Sequence, residues 1–322
     1  MITAQDLGGV MAMAPAFSTP DAGNLEATST VDVDNLAEGV DRIIKDGVHV
    51  VTTTGSFGEC YNLLWDEFKL LATTTVEVVN KRVPVFIGAT SANPREVVQR
   101  MKFIHDIGAD GTLLGLPYYD TKSAEYIGEF YAQIAQLFPD LGILVYHNPA
   151  NHKSTIPVSA FRKFVQNPNI VGMKDSHRNA LAFAEIQQIV GDRMSFFVNQ
   201  TQLYPYVQLG AAGCWSHDAF MGPWPVLYLW YLVQQGRDQE ALEVVFEIKG
   251  PGGGGRPDGT DPSGTLPHVL AGYTNPGPTR TPIVPISDGA AVRAKARAEY
   301  WKMLCEKYRP LVEAQRAAAA RV

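Results

Sequence analysis

The stretch Asn169-Ile170-Val171-Gly172-Met173-Lys174-Asp175 is a short apolar run that stops on a lysine. Such a run reads as a buried strand, and burial disfavours the ammonium form, which lowers a lysine's pKa toward neutrality. A neutral amine can attack a carbonyl. The plainer alternative is a lysine that snorkels from a strand end into water. The residues around Lys174 have to separate the two.

Outward from this run, similar segments recur at residues 9–14, 48–54, 83–88, 111–117, 142–147, 194–199 and 213–216, so that with 170–174 there are eight candidate strands. Between them lie amphipathic patterns at 34–45, 66–80, 94–106, 123–137, 158–165 and 179–190, which read as helices. Strict alternation of strand and helix implies a parallel sheet with crossover helices. Eight such units, with no Gly-x-Gly-x-x-Gly turn after the first strand, predict a closed (β/α)₈ barrel, a TIM barrel, over residues 1–249, completed by helices at 226–235 and 239–249. Residues 250–287, where Pro and Gly dominate, read as a long loop, and 288–322 as an appendage whose helix, at 290–308, packs on the barrel or on a neighbouring subunit.

The totals exclude several function classes. The 322 residues are 46% hydrophobic and 19% charged, with 33 acidic against 27 basic side chains and a net charge of -6. That balance, with no Lys/Arg cluster, argues against nucleic acid. No apolar run is long enough to span a bilayer, and no secretory pattern opens the chain. Cys60, Cys214 and Cys305 lie far apart without metal-ligand spacing, which suits a reducing cytoplasm and no bound metal.

In a barrel of this kind the chemistry sits at the C-terminal ends of the strands. The second strand leaves through Thr53-Thr54-Gly55-Ser56-Phe57-Gly58-Glu59, whose small residues allow backbone N–H groups to converge on an anion such as a carboxylate. The fourth leaves through Pro117-Tyr118-Tyr119, the fifth through Tyr146-His147-Asn148-Pro149 and the sixth through Lys174. Neighbouring strands place Tyr146 within reach of Lys174, where a phenol can shuttle the protons that imine formation requires. Alternation points His147 away from Tyr146, and His177 lies close to the same ends. His, Asp and Glu do not gather at metal spacing, so the lysine takes the place of a divalent ion as activator of an electrophile.

With those residues in hand the chain resembles, from about Gly9 to Gly250, the dihydrodipicolinate synthase and N-acetylneuraminate lyase superfamily, pyruvate-dependent class I aldolases on a (β/α)₈ barrel. The motifs are Gly55-Ser56-Phe57-Gly58-Glu59, Tyr146 and Gly172-Met173-Lys174-Asp175. The resemblance implies that Lys174 forms an imine with the pyruvate carbonyl without metal or other cofactor, that Tyr146 shuttles protons, and that the backbone of Ser56 and Phe57 holds the carboxylate. Tyr119 matches a relay tyrosine of the synthases. Members are usually tetramers, which implies a homotetramer.

Departures narrow the substrate. Asn151 stands where synthases have a carboxylate-binding arginine, and Phe57 stands where their turn has a second threonine. Both changes favour an apolar or aromatic second substrate. The chain looks closer to the hydratase-aldolases of naphthalene and phenanthrene breakdown, which cleave o-hydroxybenzylidenepyruvate and 2'-carboxybenzalpyruvate. That likeness rests on Ser18-Thr19-Pro20-Asp21-Ala22, Cys60, Leu64-Trp65-Asp66-Glu67, the Tyr-x-Asn-Pro form of 146–149 and Trp215. Asn148 is a candidate for holding the water or benzylic hydroxyl, or else a turn residue before Pro149. Phe57, Trp215 and Trp224 are candidates for an aryl pocket, though tryptophans near a barrel rim are commonly core. Gln200, His217, Lys153 and Arg178 are candidates for the aryl substituent, and the basic and amide groups among them lean the reading toward a carboxylate. The rival readings are a sugar-acid aldolase or dehydratase, a dihydrodipicolinate-synthase-like enzyme, and a non-catalytic 2-oxo acid sensor.

Overall fold

The structure is a computed structural model that describes residues 1–176, 178–250, 264–280 and 285–319. His177 lies outside the described residues. Eight parallel strands close in sequence order: β1 (Gly9–Met13), β2 (Val50–Thr53), β3 (Val85–Gly88), β4 (Gly111–Gly115), β5 (Gly142–His147), β6 (Ile170–Asp175), β7 (Ser195–Asn199) and β8 (Gly213–Ser216). The barrel expected from the alternation is the fold observed. The connecting helices are α1 (Val33–Asp46), α2 (Trp65–Val79), α3 (Pro94–Asp106), α4 (Ala124–Leu137), α5 (Pro149–His152), α6 (Val158–Phe164), α7 (Ala180–Val190) and α8 (Leu203–Tyr206). Their starts carry the expected chemistry. The side chains of Asp32, Asn93, Ser123 and Asn179 each accept from a first-turn N–H.

Successive strand residues alternate between two cores. Met11, Met13, Val50, Phe86, Leu113, Leu144, Tyr146, Phe197 and Trp215 fill the barrel interior. Val10, Ala12, Val51, Ile87, Leu114, Val145, Phe196 and Cys214 pack outward under the helices. β6 breaks the alternation once. Ile143 of β5 pairs with Ile170 but Leu144 pairs with Gly172, so β6 carries one extra residue. Val171 therefore packs inside and Met173 outside. The rephasing brings Lys174 opposite Tyr146 and Asp175 opposite His147. Only glycine fits at 172, because a Cβ there would lie 2.5 Å from the Ser195 carbonyl oxygen.

Beyond the barrel come α9 (Trp224–Gln234), α10 (Asp238–Lys249), α11 (Leu266–Ala271) and α12 (Asp288–Ala319). Two expectations change. The segment read as a loop over 250–287 contains α11, which its Pro/Gly composition hid, and residues 251–263 and 281–284 lie outside the described residues. The final helix runs past Pro310 to Ala319, because Val312 is fully buried and packing outweighs the helix-breaking proline. Trp301 of α12 is buried and its indole donates to Gly222 O at 3.0 Å.

The segment containing α11 is tied to the barrel mouth by Arg280. Its Nη1 reaches Glu59 Oε2 at 2.8 Å, its backbone N donates to Glu59 Oε1 at 2.8 Å, and its Nε and Nη2 donate to Thr30. Both partners of the pair are buried. Removing one partner strands a buried charge. Arg280→Ala is expected to lose about 3–5 kcal/mol of stability in urea unfolding, and adding Glu59→Gln should recover part of that loss.

Candidate active site

β5 and β6 end side by side, and their register sets the site. Lys174 is 3% exposed. Its Nζ donates to Ser176 Oγ at 3.4 Å and lies 4.1 Å from the centroid of the Tyr146 ring and 3.8 Å from that of Trp215. Burial pulls its pKa down to about 7, against a smaller opposing pull from the Asp175 carboxylate. The snorkelling alternative fails on that burial.

Tyr146 donates from its phenol to Ser56 Oγ at 3.1 Å and accepts from Asn148 Nδ2 at 2.9 Å. Burial raises its pKa, and its hydrogen bonds with Ser56 and Asn148 act against that rise. The ring of His152 meets Tyr146 edge-on at 4.8 Å. The lack of a side chain at Gly115 makes room for it, since a Cβ there would lie 2.3 Å from the imidazole. Burial drives His152 down to about 3, so it stays neutral.

On the outer face of the same strand ends, Asp175 accepts from His147 Nδ1 at 2.8 Å and from Arg178 Nε at 2.8 Å, and all three are buried. Burial lowers the pKa of His147, with Asp175 opposing. Arg178, a sequence candidate for the aryl substituent, is committed to this network and to Ile156 O. The backbone oxygen of Asp175 accepts from Trp215 Nε1 at 2.8 Å, which fixes the indole over Lys174.

Beyond Trp215 the mouth is lined by groups from four segments, those after β2, β7 and β8 and α11. Phe57 packs 5.1 Å from the ring of His217 and 4.9 Å from that of His268 on α11. Gln200 is buried and donates to Asp218 Oδ2 at 2.6 Å, leaving its Oε1 without a partner. His268 donates from Nε2 to the carbonyl oxygen of His217 at 3.2 Å. Burial holds His268 at about 4, so in the neutral ring its buried, unpartnered Nδ1 presents a lone pair. His217, Asp218 and His268 bring one ligand atom each within 4.8 Å of one another, a spacing open to a metal ion. Asp218 already accepts from Arg297 at 2.7 Å and from Gln200, which offsets the charge a cation would need.

The structure thus brings together Lys174, Tyr146, Asn148, Ser56 and Trp215, with Gly55 and Gly58 in the adjoining turn and Phe57 and Gln200 toward the mouth. It does not bring in Trp224, whose ring packs on Tyr273 at 5.4 Å and under Arg309, against the C-terminal helix. Tyr119 is 84% exposed, with no contact to Tyr146 or Lys174 among those described. Lys153 is exposed at the end of α5. Sequence reasoning missed His268, in a segment without periodicity, and His152, whose place depends on a glycine in another strand.

A family model described as the dihydrodipicolinate synthetase family matches residues 14–249. The chain belongs to that family. It is 27% identical over 322 residues to a trans-O-hydroxybenzylidenepyruvate hydratase-aldolase of Pseudomonas putida, an alignment that covers 95% of this chain and 96% of that one. It is 29% identical over 303 residues to a trans-2'-carboxybenzalpyruvate hydratase-aldolase of Nocardioides sp. (strain KP7), covering 87% and 89%. The solved structure of PhdJ bound to a substrate intermediate superposes with a TM-score of 0.88 at 30% identity, covering 95% of this chain and 99% of that one. Dihydrodipicolinate synthase from Acinetobacter baumannii complexed with pyruvate shares the fold, with a TM-score of 0.78 at 22% identity over 91% of this chain and 98% of that one. This member of the family is an enzyme, a lyase, and the sensor reading falls. No helix among the described residues is long and apolar enough to cross a membrane.

The lowered lysine pKa sets the pH dependence. The neutral amine is present above about 7 and lost as pH falls below it. The rate of pyruvate imine formation, followed by cyanoborohydride trapping and intact mass, should rise with pH along a limb centred near 7, far below the 10.5 of an ordinary lysine.

Proposed function

We propose that the enzyme is a class I hydratase-aldolase that takes an arylidene pyruvate to an aromatic aldehyde and pyruvate through an imine on Lys174, with no metal. The observation that carries the proposal is a fully buried lysine amine held near neutrality beside a phenol already engaged in a hydrogen-bond relay. The 2-oxo group condenses with Lys174 Nζ while the carboxylate lies in the Gly55–Gly58 turn. Tyr146 delivers and removes the protons, with Ser56 as its partner toward the mouth and Asn148 holding its oxygen. The cationic imine withdraws electrons through the conjugated alkene, so water adds at the benzylic carbon, near Asn148. Deprotonating the new hydroxyl breaks the C–C bond and releases the aldehyde. The remaining pyruvate enamine is protonated and hydrolysed from the lysine.

Phe57, Trp215 and the rings of His217 and His268 suit an aryl group better than a polyhydroxylated chain. The lean toward a carboxyl substituent gives way here to a hydroxyl. Arg178 is committed to Asp175, Arg297 to Asp218, and the unpartnered atoms of Gln200 and His268 are acceptors. Acceptors match a phenolic O–H and repel a carboxylate.

Borohydride reduction with pyruvate is expected to leave an adduct on Lys174 by peptide mapping, and Lys174→Ala to abolish both adduct and turnover. An intact, folded protein that gave no adduct would sink the aldolase assignment. In the condensation direction, pyruvate should react with 2-hydroxybenzaldehyde at a kcat/KM about tenfold above that for 2-carboxybenzaldehyde, as expected for one well-placed hydrogen bond against a mismatched charge. The reverse ranking would restore the carboxylate.

A further inference from the structure

The Lys174 amine meets two aromatic faces, and its neighbouring carboxylate is turned away. Asp175 points to the outer side of the strand, where His147 and Arg178 occupy it. Trp215 has its ring centroid 3.8 Å from Nζ and cannot swing aside while Nε1 donates to the Asp175 carbonyl. Tyr146 lies across the amine at 4.1 Å.

This arrangement answers a difficulty in the chemistry. The burial that frees the amine of its proton also penalises any cation made on the same nitrogen. Imine formation makes one. The Nζ lone pair bonds to C2 of the 2-oxo acid, and the carbonyl oxygen leaves as water, carrying one proton from the nitrogen and one delivered through Tyr146, which is reprotonated from solvent. The positive charge stays on the C=N nitrogen. A carboxylate there would offset that charge, but it would also pair with the free amine and hold it protonated. An aromatic face attracts a cation through its quadrupole, more weakly than a full negative charge would, so it offsets the imine's charge with less hold on the ammonium, and tryptophan offers the strongest such face.

We propose that Trp215 is a catalytic residue whose indole face stabilises the cationic imine nitrogen on Lys174. This role goes beyond that of a wall of the aryl pocket and rests on the imine reading above. It also accounts for the hydrogen bond from Nε1, which keeps a ring face toward the nitrogen and leaves the polar edge on the strand.

The test replaces Trp215 alone, among five tryptophans, with 5-fluoro-, 5,7-difluoro- and 4,5,6,7-tetrafluorotryptophan by site-specific incorporation. Fluorine removes electron density from the ring face and changes its shape little. Pyruvate is the probe because it has no aryl group for a pocket wall to touch. The pyruvate concentration that half-saturates cyanoborohydride trapping should rise step by step with each fluorine, by about tenfold across the series, while the thermal midpoint stays level. A constant half-saturation in proteins that do form the adduct would overturn the role of Trp215. Absence of adduct in the unsubstituted protein would instead remove the imine reading itself. If the tetrafluoro protein does not fold, the first two members still give the slope.

Discussion

One additional residue in β6 decides where the charges go. Side chains on a strand alternate faces, so every residue after an insertion changes sides. Without the skip between Ile170 and Gly172 in the pairing with β5, Met173 would point into the barrel and Lys174 would lie under the outer helices. With it, the lysine enters an interior of aromatic and aliphatic side chains, and the aspartate takes the outer position. Two adjacent ionisable residues are thereby sent into separate environments, each suited to one protonation state.

The two faces are finished differently. Outside, Asp175, His147 and Arg178 form a compact set in which the carboxylate is paired on both oxygens, the condition under which a buried charge is tolerated. At the mouth, Gln200 Oε1 and His268 Nδ1 are buried without partners. Unpaired buried polar atoms are costly, and their gathering where a substrate would sit is a reason to read them as waiting for one. The outer set also works inward. It steadies the strand end whose carbonyl holds the Trp215 indole.

Much of this was legible in the sequence because it depends on local periodicity. The strands, and the helices between them, follow from apolar spacing and capping residues. The adjacency of Tyr146 and Lys174 follows from closing the strands in order. What was not legible depends on distant fit. The insertion in β6 leaves no mark in a run that is apolar throughout. Trp224 looked like a rim residue until α12 was seen to cover it, and His268 sits in a stretch whose composition reads as loop. His152 reaches Tyr146 only because residue 115 lacks a side chain. Propensity reports none of these.

Glu59 and Arg280 are separated by 221 positions along the chain, and the family match ends at residue 249. The turn after β2 is thus chemically incomplete until the chain has returned from far outside the shared barrel. During synthesis the first strands emerge long before the guanidinium that neutralises their buried carboxylate. Contacts of such separation form late. The Glu59 carboxylate therefore waits for its counter-ion until most of the chain has been made, and a boundary drawn at residue 249, where the family match ends, would cut the protein on the wrong side of that counter-ion.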